Sequence, residues 1–554
     1  MILSAEIKEK SFGSNLLYSD VNIEIHDGEK VGLIGRNGTG KSTLFNILSG
    51  EDVDFQGEVT AKRGAVIISS RQEHHGHEDK TVLEYIQGDL PEYQKLTHII
   101  DTYPETMGSS ARKIQEFSDA LERFRELEYY QIEDEIKQAF EMYQIDPACM
   151  HRMLGSLSGG QKRMVELVKV QRSRGHIALI DEPTNHMDYV AKATFVKWLK
   201  ATKEAVLVIT HDRDVLDVVD RIVEIRDGRS YTFKGNYDSY LRTNKGQITA
   251  EVSTYDLTQK RLGTLEQDVI RFRRMKEKAR NPGTIRRFKS QEQKARDELK
   301  ALSKLEKPSF WIDQESASTM KEKMADTYDK YKATNIKVRT KRNTNKGSGQ
   351  ALIQAEGLSL GYDNKPLFSN MNFSIRPGER IRLHGRNGTG KTTLVQSIMA
   401  TSLDAKPSSQ CIAGIINIDK KVEIGLYEQE INPKYLNMTL TGALEQVLRE
   451  KNLPISMQKI KQFLSDYLFN PAVDGDLLVS QLSGGQKARL QLISMLASDP
   501  QILILDEPTN HLDLPSIEEL ENALIQYHGA IIYISHDSFL AKKLGGETIL
   551  INQS

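Results

Sequence analysis

The sequence has little cysteine and no long apolar run. Its two cysteines, Cys149 and Cys411, lie far apart without a Cys-x-x-Cys partner, so neither a disulfide framework nor a zinc site is supported. No stretch reaches the roughly 18 consecutive apolar residues of a membrane-spanning helix. The N-terminal residues have no apolar run typical of a signal peptide. These absences predict a cytoplasmic protein with no part in a membrane.

A near-zero net charge conceals an uneven charge distribution. The 554 residues carry a formal net charge of −1, yet residues 251–350 alone carry +11 and the rest carries −12. Within residues 271–290 there are nine Lys or Arg and one acid, Glu277. Charge of one sign at this density predicts a polyanionic partner for the middle of the chain.

The length predicts three or four domains.

Four motifs occur twice, in the same order. They are GRNGTGKSTL (35–44) and GRNGTGKTTL (385–394), LSGGQK (157–162 and 482–487), DEPTNHMD (181–188) and DEPTNHLD (506–513), and THD (210–212) and SHD (535–537). A repeat of this length indicates two copies of a whole domain. We predict domains at 1–240 and 351–554, with a separate segment at 241–350 between them.

Two regions have no counterpart in the other copy. The first copy has 32 more residues between Gln72 and LSGGQ than the second copy has between Gln429 and LSGGQ. These extra residues should fall near 90–135. That region is amphipathic helix, either a protruding arm or an enlarged helical subdomain. Residues 241–350 are polar and helical, with breaks predicted at Asn281–Thr284 and around Pro308.

Each copy carries a phosphate-binding loop. The apolar run VGLI leads into Gly35-x-x-x-x-Gly40-Lys41-Ser42 and then into a helical pattern, which is the strand–loop–helix context that this motif requires. Backbone amides of the loop and the helix N-terminus favour bound phosphate. The predicted nucleotide-binding residues of the loops are Gly35, Asn37, Gly38, Gly40, Lys41, Ser42 and Thr43, with Gly385, Asn387, Gly388, Gly390, Lys391, Thr392 and Thr393.

Carboxylates and histidines follow the other apolar runs. Glu182 and Glu507 stand where a base can orient the attacking water, and His211 and His536 are placed to sense the γ-phosphate. The predicted Mg²⁺ ligands are Ser42, Gln72 and Asp181 in the first copy and Thr392, Gln429 and Asp506 in the second. Phe12 and Tyr362 precede the loops at similar distances, and either stack on the adenine or pack in the core.

With LSGGQ, these motifs resemble ATP-binding cassettes of the P-loop NTPase type. The resemblance implies an α/β fold, ATP and Mg²⁺ as ligands, and ATP hydrolysis to ADP and phosphate at two composite sites. In that family the LSGGQ motif of one cassette closes on ATP held by the other, and Asp188 and Asp513 match a loop at the contact between cassettes. The signature residues implied to contact ATP are Ser158, Gly159, Gly160 and Gln161 with Ser483, Gly484, Gly485 and Gln486. Because one chain holds both cassettes, we expect a monomer with an intramolecular sandwich.

The whole chain resembles the ABC-F family. Tandem cassettes, an insertion in the first, a charged helical linker hairpin and no membrane span carry that resemblance. Transporter subunits usually lack such a linker. DNA-maintenance ATPases insert far longer coiled coils, and the iron–sulfur relative of ribosome recycling has an N-terminal cysteine cluster that is absent here.

The resemblance implies a bacterial ribosome as partner, bound through 23S rRNA near the tRNA exit site, with the linker directed at the P-site tRNA. The residues expected to neutralise RNA phosphates are Arg271, Arg273, Arg274, Lys276, Lys278, Arg280, Arg286, Arg287 and Lys289. The tip of the linker is expected either at the turn near 281–284 or at Phe310 and Trp311, which could stack on a base.

Two roles are open within that family. The antibiotic-resistance role, in which the protein displaces drugs from the peptidyl-transferase region, is favoured by a short arm, a long linker and the segment 307–338. The alternative is a housekeeping translation factor acting on stalled or initiating ribosomes. The chain is also expected to lack the C-terminal coiled coil of one branch of the family, because it stops at Ser554.

Overall fold

The structure is a computed structural model. It describes residues 1–13, 15–71, 74, 76–106, 108, 110–185, 187–302, 351–362, 365–403, 410–419, 422–428 and 431–551. The chain divides into two compact units, one formed by Met1–Thr232 with Asn335–Ser554 and the other by Phe233–Thr334. Among the described residues, none of the helices combines the length and apolar character that crossing a bilayer requires.

The first repeat contains two sheets within its described residues. Its strands are β1 (Leu3–Phe12), β2 (Asn15–Tyr18), β3 (Val21–Ile25), β4 (Lys30–Gly35), β5 (Gln56–Ala61), β6 (Ile67–Ser69), β7 (Ile177–Asp181), β8 (Ala205–Ile209), β9 (Arg221–Arg226) and β10 (Arg229–Lys234). In the smaller sheet β1 pairs with β2, β3 and β5, all antiparallel. The larger sheet has the order β10-β9-β4-β8-β7-β6, and β6, β7, β8, β4 and β9 run parallel.

The parallel strands are buried on both faces. Every residue of β7 and β8 is buried, which is why these strands are uninterrupted apolar runs rather than alternating patterns. Because β4, β8 and β7 are neighbours, their carboxyl ends lie side by side at one edge of the sheet. That edge carries the chemistry in α/β folds of this kind.

The helices of the first repeat include the predicted insertion. They are α1 (Lys41–Ser49), α2 (Val82–Gly88), α3 (Tyr93–Thr106), α4 (Ala111–Glu126), α5 (Ile132–Met142), α6 (Gly159–Arg172), α7 (Tyr189–Ala201) and α8 (Arg213–Leu216). Helices α3 and α4 fall within 90–135, and their base is fixed by rings of Tyr93, Phe124 and Tyr129 with centroids 5.3 to 5.8 Å apart. The insertion is therefore a short pair of helices.

The second unit is described from residue 233 to residue 302. Helix α9 (Tyr237–Lys278) has 42 residues, about 63 Å at 1.5 Å per residue, and α10 (Pro282–Leu302) packs against it. Ion pairs from Arg261 to Glu298 and from Lys276 to Glu292 show that the two helices run antiparallel. The turn lies at 279–281, slightly before the predicted break, because Pro282 suits the start of a helix. Pro308, Phe310 and Trp311 lie outside the described residues.

The second repeat follows the same plan. Its strands are β11 (Ile353–Tyr362), β12 (Lys365–Ile375), β13 (Arg380–His384), β14 (Gln410–Ile418), β15 (Ile424–Tyr427), β16 (Ile502–Asp506), β17 (Ala530–Ile534) and β18 (Glu547–Leu550). Its helices are α11 (Lys391–Ser402), α12 (Leu440–Glu450), α13 (Met457–Asp466), α14 (Gly484–Leu496), α15 (Leu514–Gln526) and α16 (Ser538–Leu544). Within the described residues the parallel sheet has the order β15-β16-β17-β13-β18. The predicted α/β fold of two tandem copies joined by a helical hairpin is confirmed, while the domain boundaries at 240 and 350 stay a prediction.

Candidate active site

Two phosphate-loop lysines are folded back into their own loops. Lys41 begins α1, and its Nζ donates hydrogen bonds to the carbonyl oxygens of Gly35 and of the next residue, at 2.7 and 3.1 Å. Lys391 begins α11 and donates to Gly385 and the residue after it, at 2.8 and 2.6 Å. Burial lowers the pKa of both lysines. Each ammonium group thus lies inside the loop expected to hold phosphate.

The first glycine of each loop has a packing role. A Cβ on Gly35 would lie 2.7 Å from the carbonyl oxygen of Ile225, and one on Gly385 would lie 2.5 Å from that of Ile551. Neither glycine is among the described residues that line the cavity between the repeats. Gly35 and Gly385 therefore allow the close approach of these carbonyl oxygens, and their expected contact with nucleotide stays a prediction.

The predicted metal ligands lie together in pairs. Ser42 Oγ is 3.4 Å from Asp181 Oδ2, and Thr392 Oγ1 donates a hydrogen bond of 2.7 Å to Asp506 Oδ2. A hydroxyl and a carboxylate beside a phosphate loop are oxygen donors of the kind Mg²⁺ prefers, so these residues fit the expected ion. Gln72 and Gln429 lie outside the described residues.

A glutamate follows each of these aspartates in a strained backbone conformation. Glu182 has φ of 45° and Glu507 has φ of 48°, in the left-handed region that non-glycine residues rarely adopt. The Glu182 amide donates to the carbonyl oxygen of Ile209 at 2.8 Å, and Glu507 donates to Ile534 at 3.0 Å. The next strand of the sheet therefore fixes the direction of each glutamate. Strain of this kind is concentrated at functional sites.

Each glutamate faces the histidine that follows the neighbouring strand. The distance from His211 Nε2 to Glu182 Oε1 is 3.7 Å, and from His536 Nε2 to Glu507 Oε1 it is 3.4 Å. Within the described part of the chain, neither ring nitrogen of either histidine has a hydrogen-bond partner. Buried polar atoms without partners are rare in folded proteins. Because both histidines line the cavity, a polar ligand there can supply the missing hydrogen bonds.

Burial shifts the proton affinity of these groups. Burial, with the neighbouring Asp181 carboxylate second, raises the pKa of Glu182 to about 8, and burial raises the pKa of Glu507 to about 7. Burial and the nearby lysine ammonium lower the pKa of His211 and of His536 to about 3. Neutral histidines and carboxyl groups that titrate near neutrality are suited to proton transfer.

The signature motifs begin helices α6 and α14. Ser158 Oγ accepts from the Gln161 amide while Gln161 Oε1 accepts from the Ser158 amide, and Ser483 and Gln486 form the same capping box. Among the described lining residues are the glycines of both motifs and Ser483, but not Ser158, Gln161 or Gln486. The polar atoms of these three side chains cap their helices, and their expected contacts with ATP stay a prediction.

The two repeats meet head to tail around one cavity of about 1370 Å³. The Asn37 amide donates to Asp513 Oδ2 at 3.0 Å, and Asn37 Nδ2 donates to the carbonyl oxygen of His511 at 3.1 Å. In the reverse direction the Asn387 amide donates to Asp188 Oδ2 at 3.3 Å. Each phosphate loop is thus held by an aspartate of the other repeat. The two aspartates, Asp188 and Asp513, are those for which the resemblance implied a contact between the cassettes.

The two aromatic candidates lie at the cavity and not in the core. Phe12 is 57% exposed and Tyr362 is 44% exposed, and both line the cavity. The Lys10 ammonium lies 5.0 Å from the Phe12 ring centroid. Exposure removes the core-packing alternative for both rings. An exposed ring beside a phosphate loop is available for stacking on a base.

A buried ion pair that the sequence did not predict connects the two repeats. Arg213 Nη2 contacts Glu521 Oε1, with side chains 7% and 0% exposed, and Lys543 Nζ lies 2.8 Å from the other oxygen of Glu521. The second repeat has Ser538 at the position equivalent to Arg213, and the first repeat has Val196 at the position equivalent to Glu521. The pair therefore exists on one side of the interface, and nothing in the sequence shows that residues 308 positions apart are in contact.

A second one-sided contact involves Lys192. Its Nζ lies 2.8 Å from Asp212 Oδ2, contacts Asp214, and donates to the carbonyl oxygen of His536 in the other repeat at 3.3 Å. The equivalent position in the second repeat is Ile517. His536 is therefore held by a side chain of the first repeat, whereas the equivalent position facing His211 is apolar. Alignment of the two repeats reveals that Ile517 replaces Lys192. It does not reveal that Lys192 contacts His536.

The predicted RNA-contacting residues surround the turn of the helical hairpin. Arg273 lies 3.4 Å from Glu277, and Lys276 pairs with Glu292. Seven others form no ion pair with any residue that the structure describes: Arg271, Arg274, Lys278, Arg280, Arg286, Arg287 and Lys289. Ile270 and Met275, which are 52% and 36% exposed, share one face of α9 with Arg271 and Arg274. Most of the positive charge is thus not neutralised within the hairpin.

We expect Glu521→Gln to weaken the closed arrangement of the two repeats. Removing one partner of a buried ion pair leaves an uncompensated charge, at a cost of about 3–5 kcal/mol. Small-angle X-ray scattering with ATP should then report a larger radius of gyration than for the wild type. Glu450→Gln, which affects the more exposed pair with Lys434, is the matched control. Identical scattering for Glu521→Gln and the wild type would contradict the role of the pair.

We expect Gly485→Ala to block the approach of Asn37. A Cβ at Gly485 would lie 2.1 Å from Asn37 Nδ2, whereas a Cβ at Gly484 would meet His511 at an ordinary 3.4 Å. ATP turnover should fall about tenfold in Gly485→Ala, consistent with a cost above 1 kcal/mol for overpacking, and Asn37→Ala should restore most of it. Equal losses in Gly484→Ala and Gly485→Ala, without rescue, would mean that steric contact with Asn37 is not the cause.

Comparisons with known proteins agree with this architecture. A family model described as ABC transporter matches residues 18–185 and 368–510, and a further ABC transporter model matches residues 223–325. The chain is similar to ABC transporter F family member 5 of Arabidopsis thaliana, at 28% identity over 98% of this chain and 73% of the relative. It is 28% identical to the translational throttle protein EttA of Mycobacterium tuberculosis, over 95% of this chain and 87% of the relative.

A solved structure shares the fold. The archaeal ribosome recycling factor aABCE1, in complex with the stalk protein aP1, superposes with a TM-score of 0.54 at 17% identity, over 98% of this chain and 86% of that one. At that identity the likeness concerns the fold alone. Because the family model matches both repeats and an F family member is similar to the chain along 98% of its length, the chain belongs to the ABC transporter family, as an ATP-binding and ATP-hydrolysing member of its ABC-F branch.

Proposed function

We propose that ATP is hydrolysed at two composite sites, each shared by both cassettes. Site one combines Lys41, Glu182 and His211 with the signature helix α14, and site two combines Lys391, Glu507 and His536 with α6. The observation that carries this proposal is the reciprocal contact of each phosphate loop with the aspartate of the other cassette. Sites built in this way are complete only when the cassettes are closed.

The side chains divide the work at each site. The lysine ammonium and the loop amides bind the β- and γ-phosphates, and the signature helix directs its N-terminal amides at the same phosphates. Glu182 or Glu507, in its ionised form, orients the attacking water and takes its proton, and the raised pKa that burial gives each carboxyl group makes its carboxylate a stronger base. The neutral histidine donates a hydrogen bond to the γ-phosphate. Mg²⁺, held by Ser42 with Asp181 and by Thr392 with Asp506, neutralises charge on the phosphates when bound.

We expect the variant Glu182→Gln with Glu507→Gln to bind ATP but to hydrolyse it at least about a hundred times more slowly, the range for loss of a general base. Glutamine keeps the shape and cannot accept the proton. Phosphate release measures turnover, and equilibrium binding of labelled ATP measures affinity. Glu204→Gln, a carboxyl group outside the cavity, is the control. Retention of more than a tenth of the activity would exclude the two glutamates as bases.

For the partner, we propose a ribosome contacted through the basic turn of the helical hairpin. Seven cations without an ion-pair partner in the described residues support a polyanion, and RNA, which carries a phosphate at every nucleotide, is one. The name of the relative EttA, an energy-dependent translational throttle protein, points to translation. We further propose that the ATP-bound form enters the tRNA exit site, with the linker directed at the P-site tRNA.

Two outcomes of that binding are proposed. In the first, the linker remodels the peptidyl-transferase region and displaces ribosome-targeting antibiotics, which the length of the linker favours. In the second, the protein is a housekeeping translation factor, which the name of the relative EttA favours. Growth of a deletion strain with and without such drugs separates them. Drug hypersensitivity with normal drug-free growth supports the first, and slow growth without drugs supports the second.

We expect the ATP-bound Glu182→Gln, Glu507→Gln protein to pellet with bacterial ribosomes, and pelleting to weaken when Arg286, Arg287 and Lys289 are changed to Gln. Removing three phosphate contacts should lower the slope of log affinity against log salt by about two to three. Arg261→Gln, on the same hairpin but paired with Glu298, is the matched control. An unchanged slope would place the contact elsewhere, and no pelleting with any nucleotide would remove the ribosome as partner.

A further inference from the structure

A fully buried carboxylate lies inside the first cassette, away from the reacting groups. Glu166 is on α6, seven residues after the first glycine of that helix, and is 0% exposed. Its Oε1 accepts from the Tyr85 hydroxyl and contacts His74 Nε2 at 2.9 Å. Its Oε2 accepts from the Arg71 amide at 2.8 Å and lies 2.8 Å from Lys169 Nζ. Four groups from three parts of the chain therefore converge on one side chain.

These contacts keep Glu166 ionised. Burial opposes ionisation, but the hydrogen bond from His74 and the Lys169 ammonium hold the pKa of Glu166 at about 2. The network extends to Asp89, whose Oδ2 lies 3.1 Å from Lys169 Nζ and 3.0 Å from an Arg71 guanidinium nitrogen. A buried charge is tolerated only when its partners stay in place. The network can therefore hold its elements in a defined arrangement.

The network lies between the two composite sites. Arg71 and His74 follow β6, next to the strand that ends in Asp181, and both line the cavity. Glu166 is on the helix whose first residues, Gly159 and Gly160, line the same cavity as part of the signature motif. A displacement of the loop after β6 at site one must therefore move α6, which belongs to site two, or break the network.

Among the residues of the second cassette that the structure describes, there is no such network. Counting from the shared motifs, Glu166 and Lys169 correspond to Gln491 and Ser494, and Arg71 and His74 correspond to Glu428 and Ile431. Alignment of the N-caps Thr81 and Thr439 makes Ala443 and Val447 the counterparts of Tyr85 and Asp89. Ala443 and Val447 are 0% and 2% exposed within an apolar core cluster. The positions of Tyr85 and Asp89 are therefore filled by hydrocarbon in the second cassette, and those of Glu166 and Lys169 by uncharged polar side chains.

We propose that Glu166 is a positioning residue that transmits the state of site one to the signature helix of site two, and that the second cassette has no equivalent route back. Packed apolar side chains can slide in small steps, whereas a buried ionic network has few arrangements that satisfy all its members. Site two is thereby made dependent on ATP at site one, and site one is independent of site two. The proposal rests on the composite sites proposed above and not on ribosome binding.

The test measures each site separately, without ribosomes. In the Glu182→Gln background phosphate release reports site two, and in the Glu507→Gln background it reports site one. We expect Glu166→Gln to lower kcat at site two about tenfold with little change in KM for ATP, and to change site one less than twofold. Equal losses at both sites would indicate a general disturbance of the first cassette, and no loss at site two would overturn the proposal outright.

Two further variants separate coupling from folding. Glu166→Gln with Lys169→Met removes the charged pair together, so the fold should be retained, and thermal unfolding with ATP checks this. If the double variant regains site-two turnover, the charges do not couple the sites and the proposal fails. Gln491→Ala, the matched change in the second cassette, should leave both sites within twofold of their background. If the single backgrounds themselves lack turnover, the composite sites are wrong, independently of Glu166.

Discussion

The hydrogen bond from the Asn37 amide to Asp513 is the interaction on which the arrangement of the active sites depends. Asp513 also caps α15 by accepting from the Ser516 amide. Burial alone would raise the pKa of Asp513, but the hydrogen bonds from Ser516 and Asn37 keep that pKa below its ordinary value. One carboxylate thus fixes a helix of its own cassette and a phosphate loop of the other. Asp188 has the same two roles toward α7 and Asn387. Movement of either helix is therefore movement of the opposite nucleotide site.

The two sites share their motifs and differ in what surrounds them. The polar side chains that reach across the interface or bind the signature helix to its own cassette belong mainly to the first cassette: Lys192, Arg213 and the group around Glu166. At the equivalent places in the second cassette the residues are apolar or uncharged, except for Glu428 at the position of Arg71. Hydrocarbon contacts carry little directional information, whereas buried charges impose geometry. Duplication of a domain followed by unequal substitution can in this way make one of two similar sites depend on the other.

Much of the site could be predicted because its chemistry is local in sequence. A strand ending in Asp181 and a loop ending in Lys41 are short motifs, and neighbouring parallel strands bring their ends together. The capping role of Gln161 could also be predicted from its spacing to Ser158, while its contact with ATP stays a prediction. The close approach of Gly35 to Ile225 could not be predicted, because it depends on a strand 190 residues away. The pairing of Arg213 with Glu521 is likewise tertiary, and no sequence period encodes it.

The charges of the helical hairpin are sorted along its length, and this bears on what they are for. Arg261 pairs with Glu298 far from the turn, and Lys276 with Glu292 nearer to it, so these cations stabilise the antiparallel packing. Around the turn, Arg280, Arg286 and Lys289 have no acidic partner within the described residues. Mutual repulsion there costs stability that exposed pairs elsewhere on the hairpin hardly offset. A sequence that keeps such repulsion at one end of a long helical pair is best explained by a partner that supplies the missing negative charge.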